Sequence, residues 1–276
     1  MPLTPHQKRL VTALVLIGLL LAGLMTGGWV LRILLLVVSS LALMEFLTMY
    51  WPGSVYPSRK CAALLLGALI VLSQAFDPLW TISLLTLSFM VISISFLFNY
   101  GSKDAESRLG HYAPFTMGLV YIPFILQLAL YLSPVEQFLV ILAAIASDTG
   151  GYYAGSLWGK RKLWPRVSPK KSWAGLFGGM AFCVVCCTLV GIVGQALSWE
   201  ILQLPLWAWP LLGILLNLAA VLGDFFESAL KRTLNIKDSG SLLPGHGGML
   251  DRIDSLLFVI PVYMLVSLAV RTIQAS

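Results

Sequence analysis

Asp224 and Glu227 stand three residues apart at the end of a long apolar run. On a helix that spacing puts both carboxylates on one face. Lys231 follows Glu227 by four positions, and Arg232 follows Ser228 by four, so basic groups join them. An acidic side chain inside a membrane span is costly unless something binds it. Two so close together suggest a bound cation or a functional pair.

Beyond them come Lys237-Asp238, then Leu-Pro-Gly245-His246-Gly247-Gly248, then Asp251-Arg252 and Asp254. Carboxylates favour helix N-termini as caps and through the dipole, which is the structural alternative for Asp251 and Asp254. The glycines let a backbone approach a ligand closely, and exposed amides there can cradle phosphate. His246 is open to three roles: general base, contact to a base edge, or hydrogen-bonded turn residue.

Two earlier blocks carry the remaining polar groups. Asp148, in Ser147-Asp148-Thr149-Gly150-Gly151-Tyr152, ends an apolar span and needs a partner. A metal, a nucleoside or a lysine would each serve. Residues 160–171 hold six basic side chains around Ser168-Pro169-Lys170-Lys171-Ser172. Such a run can simply set topology and attract anionic lipid; the Ser-Pro-Lys-Lys-Ser core is the part expected to touch phosphate.

The run from Ser228 to Asp254 resembles the signature of phosphatidate cytidylyltransferases, also called CDP-diacylglycerol synthases. Ser228, Lys231, Arg232, Lys237, Asp238, Leu243 to Gly248, Asp251, Arg252 and Asp254 all fit it. The 147–152 and 168–175 blocks are similar to two further motifs of that family. Ala174 stands where the second usually has Glu, so this chain lacks that carboxylate. The resemblance implies transfer of a cytidylyl group from CTP to phosphatidic acid, giving CDP-diacylglycerol and pyrophosphate. It also implies a Mg²⁺ centre, with room for a second cation, held by Asp224 and Asp251. By the same resemblance Asp224, Asp251, Lys231 and Arg232 are the catalytic set.

Elementary chemistry agrees with that expectation. Transfer at a nucleotide α-phosphate requires neutralising a crowded polyanion, which Mg²⁺ does with a few carboxylates and the substrate's own phosphates. Lys and Arg supply further charge stabilisation. The nucleophile is a phosphate monoester with a second pKa of about 6, so it is mostly dianionic at pH 7. No catalytic base is needed. Two rival functions remain: a CTP-dependent lipid-alcohol kinase, whose hydroxyl acceptor makes a base matter more, and an ion-coupled transporter. Transporters often carry internal repeats and broken helices at the midplane; no repeat is visible here, and the charges gather at one face.

These groups need elements to hold them, and composition says which kind. The 276 residues are 58% hydrophobic and 11% charged, with mean hydropathy +0.88. Soluble domains are about a quarter charged. The expected fold is therefore all-α: a polytopic membrane protein forming one transmembrane domain, its motif-bearing half at about 145–276. Spans need roughly 20 apolar residues and must be helical in lipid. Nine are expected, near 10–27, 29–50, 61–76, 79–99, 113–132, 135–156, 174–197, 205–228 and 254–271.

With that count, every Lys and Arg except Arg32 and Arg271 falls on one side. This predicts a cytoplasmic N-terminus and an external C-terminus. All three polar blocks then face the cytosolic nucleotide pool, in what is expected to be a bacterial plasma (inner) membrane. Lys8-Arg9 before an apolar run without a small-x-small cleavage site predicts a retained first helix. Cys61, Cys183, Cys186 and Cys187 lie in apolar stretches and read as small core residues. Glu45 is the exception in an otherwise nearly uncharged first half. Expected partners are CTP, phosphatidic acid and membrane lipids, not nucleic acid; the expectation allows a homodimer.

Overall fold

A computed structural model describes residues 5–100, 109–242 and 247–275. It is helical almost throughout: α1 (Pro5–Thr26), α2 (Gly28–Tyr50), α3 (Pro57–Ser73), α4 (Pro78–Tyr100), α5 (Ala113–Leu119), α6 (Ile125–Leu128), α7 (Pro134–Trp158), α8 (Trp173–Ala196), α9 (Ala208–Thr233), α10 (Leu250–Ile253) and α11 (Leu256–Ala275). Among the described residues, seven helices are long and apolar enough to cross a membrane. They are Gly28–Tyr50, Pro78–Phe98, Ala113–Tyr131, Pro134–Trp158, Trp173–Ala196, Ala208–Thr233 and Leu250–Ala275. The other two expected spans also form helices. Their described apolar lengths are shorter: Leu14–Thr26, and the 17 residues of α3.

The punctuation is local chemistry. Gly27 and Gly28 both take positive φ, at 58° and 49°, which breaks α1 from α2 in the left-handed region that glycine tolerates. Pro123 lacks an amide hydrogen, and the backbone around it widens into a π segment at Val120–Phe124 between α5 and α6. At the start of α7, Ser133 and Glu136 form a reciprocal capping box with Pro134 at the first turn. Between α7 and α8 two short strands, β1 (Lys162–Trp164) and β2 (Ser168–Ser172), pair antiparallel, with Lys162 opposite Ser172 and Trp164 opposite Ser168. This hairpin is a small departure from the all-helical expectation.

The chain divides into two compact units. The first comprises Met1–Tyr131 with Asp238–Asp251, the second Leu132–Lys237 with Arg252–Ser276. In the first unit, Ala42, Leu43, Phe46, Leu119 and Ile122 are fully packed. Large apolar side chains are exposed on several of its helices, among them Met25 on α1, Leu65 on α3, and Leu97 and Phe98 on α4. Arg32 donates to Gln74 and stacks on Trp29.

In the second unit α7 and α8 meet backbone to backbone. A Cβ added at Gly150 would stand 2.6 Å from the Gly178 carbonyl, and one at Gly175 2.9 Å from the Gly151 carbonyl. Small residues at such seams let membrane helices approach closely. At the N-terminal end of α7, the fully buried Glu136 accepts hydrogen bonds from Arg271 at 3.0 Å, Tyr263 at 3.1 Å and the Ser133 amide at 2.9 Å. Arg271 is thus engaged in a structural ion pair, and Arg32 is engaged within the first unit.

Candidate active site

Within the second unit, residues of the three polar blocks line a cavity of about 460 Å³. Asp148 and Tyr152 come from α7, Lys170, Lys171 and Ser172 from β2, and Asp224 from α9. The α7–α8 glycine seam sets the spacing of the walls, and the β1–β2 hairpin delivers the lysines. Trp164 on β1 packs on Phe225 at 5.9 Å, and Lys171 lies 5.1 Å from the same ring. These contacts fix the hairpin against α9 beside the acidic group it faces.

Lys171 Nζ sits 2.6 Å from Asp224 Oδ2, with both side chains about a quarter exposed. The Ser228 hydroxyl donates to Asp224 Oδ1 at 3.2 Å, one turn further along α9. Asp148, Asp224 and Asp254 lie within electrostatic range of one another and of Lys171. Arg252 adds positive charge near Asp148 and is itself exposed. Asp254 Oδ1 accepts the Ser255 amide at 2.7 Å.

The Asp224/Glu227 spacing resolves into two different environments. Glu227 is buried, and its Oε2 accepts from Lys231 Nζ at 2.6 Å. Helix α9 continues to Thr233, five residues past the expected end of that span, so Lys231 and Arg232 occupy its last turn. Cations there oppose the negative end of the helix dipole. Arg232 and Lys237 are exposed. Ser172 is buried and caps α8, its Oγ accepting the Gly175 amide at 3.2 Å. Ser168 opens β2 opposite Trp164, and Lys170 is exposed next to the cavity.

Asp238, Gly247, Gly248 and Asp251 belong to the first unit. Asp251 Oδ2 accepts the Gly248 amide at 2.8 Å and the Ser239 amide at 3.1 Å, so its carboxylate ties two points of the loop together. Gly247 takes φ 79°, and a Cβ there would stand 2.9 Å from Asp251 Oδ2. Gly245 and His246 lie outside the described residues.

Asn217 escaped sequence reasoning. It is fully buried on α9, accepts from Ser147 Oγ at 2.8 Å and donates to the Leu176 carbonyl at 3.4 Å. It thereby ties α7, α8 and α9 together behind the cavity, which Ser147 and Leu176 also line. A signal existed: Asn217 is a lone amide in an apolar run, seven residues before Asp224 and so on the same helix face.

Among the described residues, no group of three or more His, Cys, Asp or Glu is arranged to hold a metal by itself. The donors in the cavity are hard carboxylate oxygens, Asp148 and Asp224. That set suits Mg²⁺, which uses one or two carboxylates and takes its remaining ligands from water and substrate phosphate. Asp224 is paired with the Lys171 ammonium, which a metal at this position would have to displace.

Fold and site together define a polytopic helical membrane protein with a charged cavity suited to a polyanionic substrate. Residues 7–270 match the model of the cytidylyltransferase family, and the chain belongs to that family. It is 34% identical over 264 residues to the phosphatidate cytidylyltransferase of Staphylococcus epidermidis, covering 92% of this chain and 96% of that one. The phosphatidate cytidylyltransferase of Staphylococcus aureus is likewise 34% identical over 267 residues, with the same two coverages. That of Bacillus subtilis is 45% identical over 124 residues, 45% of this chain and 44% of that one.

Proposed function

We propose that the chain transfers the cytidylyl group of CTP to phosphatidic acid, releasing pyrophosphate and forming CDP-diacylglycerol. The observation that carries this reading is the cavity in which Lys170 and Lys171 stand beside Asp148 and Asp224. Family membership favours it over the kinase and the transporter.

The residues of the chain supply position and charge. Lys170 and Lys171 neutralise phosphate oxygens, with Lys231, Arg232 and Arg252 adding positive potential around the polyanion. A phosphatidate oxygen attacks the α-phosphorus of CTP, and the bond from that phosphorus to the bridging oxygen of the β-phosphate breaks. The attacking phosphate is already a dianion, so no side chain has to remove a proton. Holding two anions in line is the main task, and it favours rigid walls. The glycine seam and the Asn217 tie provide them. Mg²⁺, when bound, would screen the phosphates and stabilise the charge that develops on them. Asp224 and Asp251 are each proposed as ligands to it, and Asp148 offers a further carboxylate in the cavity.

The lipid acceptor requires a site at the membrane surface. Tyr152, Tyr153 and Trp158 are exposed at the C-terminal end of α7, and aromatic rings of this kind sit at the headgroup level. The full proposal is nine membrane helices, the N-terminus and cavity on the cytoplasmic side of a bacterial plasma membrane, and the C-terminus outside. Arg32 and Arg271, the two exceptions to the charge asymmetry, are both engaged in local structure, which supports this orientation.

Acceptor specificity tests the proposal. Purified protein given CTP and Mg²⁺ should turn over with phosphatidic acid and not with diacylglycerol. Turnover with diacylglycerol instead would establish the kinase.

A further inference from the structure

Glu45 lies on α2 of the first unit, far in sequence from every motif, and only 8% of it is exposed. Its Oε2 accepts the Leu250 amide at 2.9 Å and the Ser239 hydroxyl at 3.2 Å. Among the described residues its Oε1 is buried without a hydrogen-bond partner. Gly240 and Gly248 press against the same carboxylate. A Cβ at Gly240 would stand 2.7 Å from Oε1, and one at Gly248 would collide with Oε2 and with Ser239 Oγ. Those two glycines are therefore required by the close approach of Glu45, apart from any approach to phosphate.

Glu45 and Asp251 share Ser239 as an anchor point and bind neighbouring amides at the other. Ser239 gives its hydroxyl to Glu45 and its amide to Asp251, while the Gly248 amide goes to Asp251 and the Leu250 amide to Glu45. Two carboxylates thus clip the same two stretches of backbone from opposite sequence origins. A buried carboxylate in a membrane helix is costly to keep, and this one is held by its acceptor bonds to the Leu250 amide and the Ser239 hydroxyl.

We propose that Glu45 is a positioning residue for the reaction: it holds the backbone at Ser239 and at Leu250 so that the Asp251 carboxylate is fixed in its working orientation. This rests on the cytidylyl-transfer reading and on a role for Asp251 in it. Fixing a group that acts in the transition state affects kcat more than KM.

The experiment combines hydrogen–deuterium exchange with kinetics on the full-length protein in neutral detergent. In Glu45→Ala the Ser239 and Leu250 amides should exchange faster while amides of 147–176 keep wild-type rates. Its kcat should fall about 10- to 150-fold, the loss expected for a hydrogen bond to a charged group, with KM for CTP changed less than about threefold. Glu45→Gln keeps an acceptor oxygen for Leu250 and should recover most of that kcat. Ser239→Ala removes one of the two bonds without touching the Asp251 amide contact and should fall between, which keeps a test available if Glu45→Ala does not fold. Wild-type exchange at 239 and 250 in Glu45→Ala would overturn the proposal. So would unchanged kcat despite faster exchange, or a Gln variant as impaired as Ala. If the wild-type protein makes no liponucleotide, the functional reading fails, whereas the exchange data still decide whether Glu45 holds the segment.

Discussion

Lys171 Nζ and Asp224 Oδ2 form an ion pair of 2.6 Å inside the cavity that also holds Asp148. Each partner is about a quarter exposed, so the pair is open to exchange for other ions. On the proposed mechanism, phosphate would draw the lysine away and a divalent cation would take its place on the aspartate. Partly exposed pairs contribute little to stability, so the value of this one lies in poise.

Lys171→Ala should therefore lower kcat/KM for CTP by about 10- to 150-fold, the worth of a charge-assisted hydrogen bond, while melting temperature stays near wild type. Lys162 lines the cavity with Lys170 and Lys171, whereas Lys160 and Arg161 are exposed outside that lining and, on the proposed topology, would attract anionic lipid at about 1 kcal/mol per charge. Neutralising Lys160 and Arg161 should matter on anionic vesicles and little in neutral-detergent micelles. Equal losses from both groups in micelles would mean that the basic block acts only through its net charge.

Asp224→Asn and Asp251→Asn should each abolish turnover and leave thermal unfolding largely intact. The Mg²⁺ dependence of any residual activity is the discriminating measurement. Near-normal turnover at limiting Mg²⁺ in either variant would remove that residue from the ligand set. Asp251 also ties down the Ser239 and Gly248 amides. Its asparagine variant keeps an acceptor oxygen for them, which is why the fold should survive.

Gly178→Ala tests the seam that sets the cavity. The added methyl would collide with Ala154 Cβ and stand 2.8 Å from the Gly150 carbonyl. Overpacking of this kind costs about 1–3 kcal/mol. The variant should melt earlier and lose activity through cavity geometry, though it alters no polar group. A wild-type melting temperature would mean that the helices separate freely at this point.

Arg271→Ala should destabilise without impairing chemistry. It leaves Glu136 buried with Tyr263 and Ser133 as remaining donors, at about 1–3 kcal/mol. Glu136 lies twelve residues from Asp148 on α7, about 18 Å by helix rise. Reduced thermal stability with kcat/KM near wild type is the expected outcome.

Most of the helical fold is legible in the sequence because lipid forbids unsatisfied backbone. Apolar length fixes where helices run, and the Gly27-Gly28 and Phe76-Asp77-Pro78 breaks fix where they stop. The end of α9 is less legible: apolarity stops near Ser228, but Glu227–Lys231 pairing and the last-turn cations carry the helix on to Thr233. The β1–β2 hairpin is hidden in a basic loop whose composition speaks of charge, not of strands. The Lys171–Asp224 approach is long-range pairing, and no spacing rule reports it. Glu45 and Asn217 were visible only as polar residues out of place; their partners, Leu250 and Ser147, emerge from tertiary packing.

The fate of the phosphates tests the central claim most directly. Purified protein should be given phosphatidic acid and diacylglycerol together with CTP labelled either at the α- or at the γ-phosphate. Cytidylyl transfer predicts that the α-label enters lipid and the γ-label leaves as pyrophosphate, in equal amounts. Entry of the γ-label into lipid with release of CDP would contradict it.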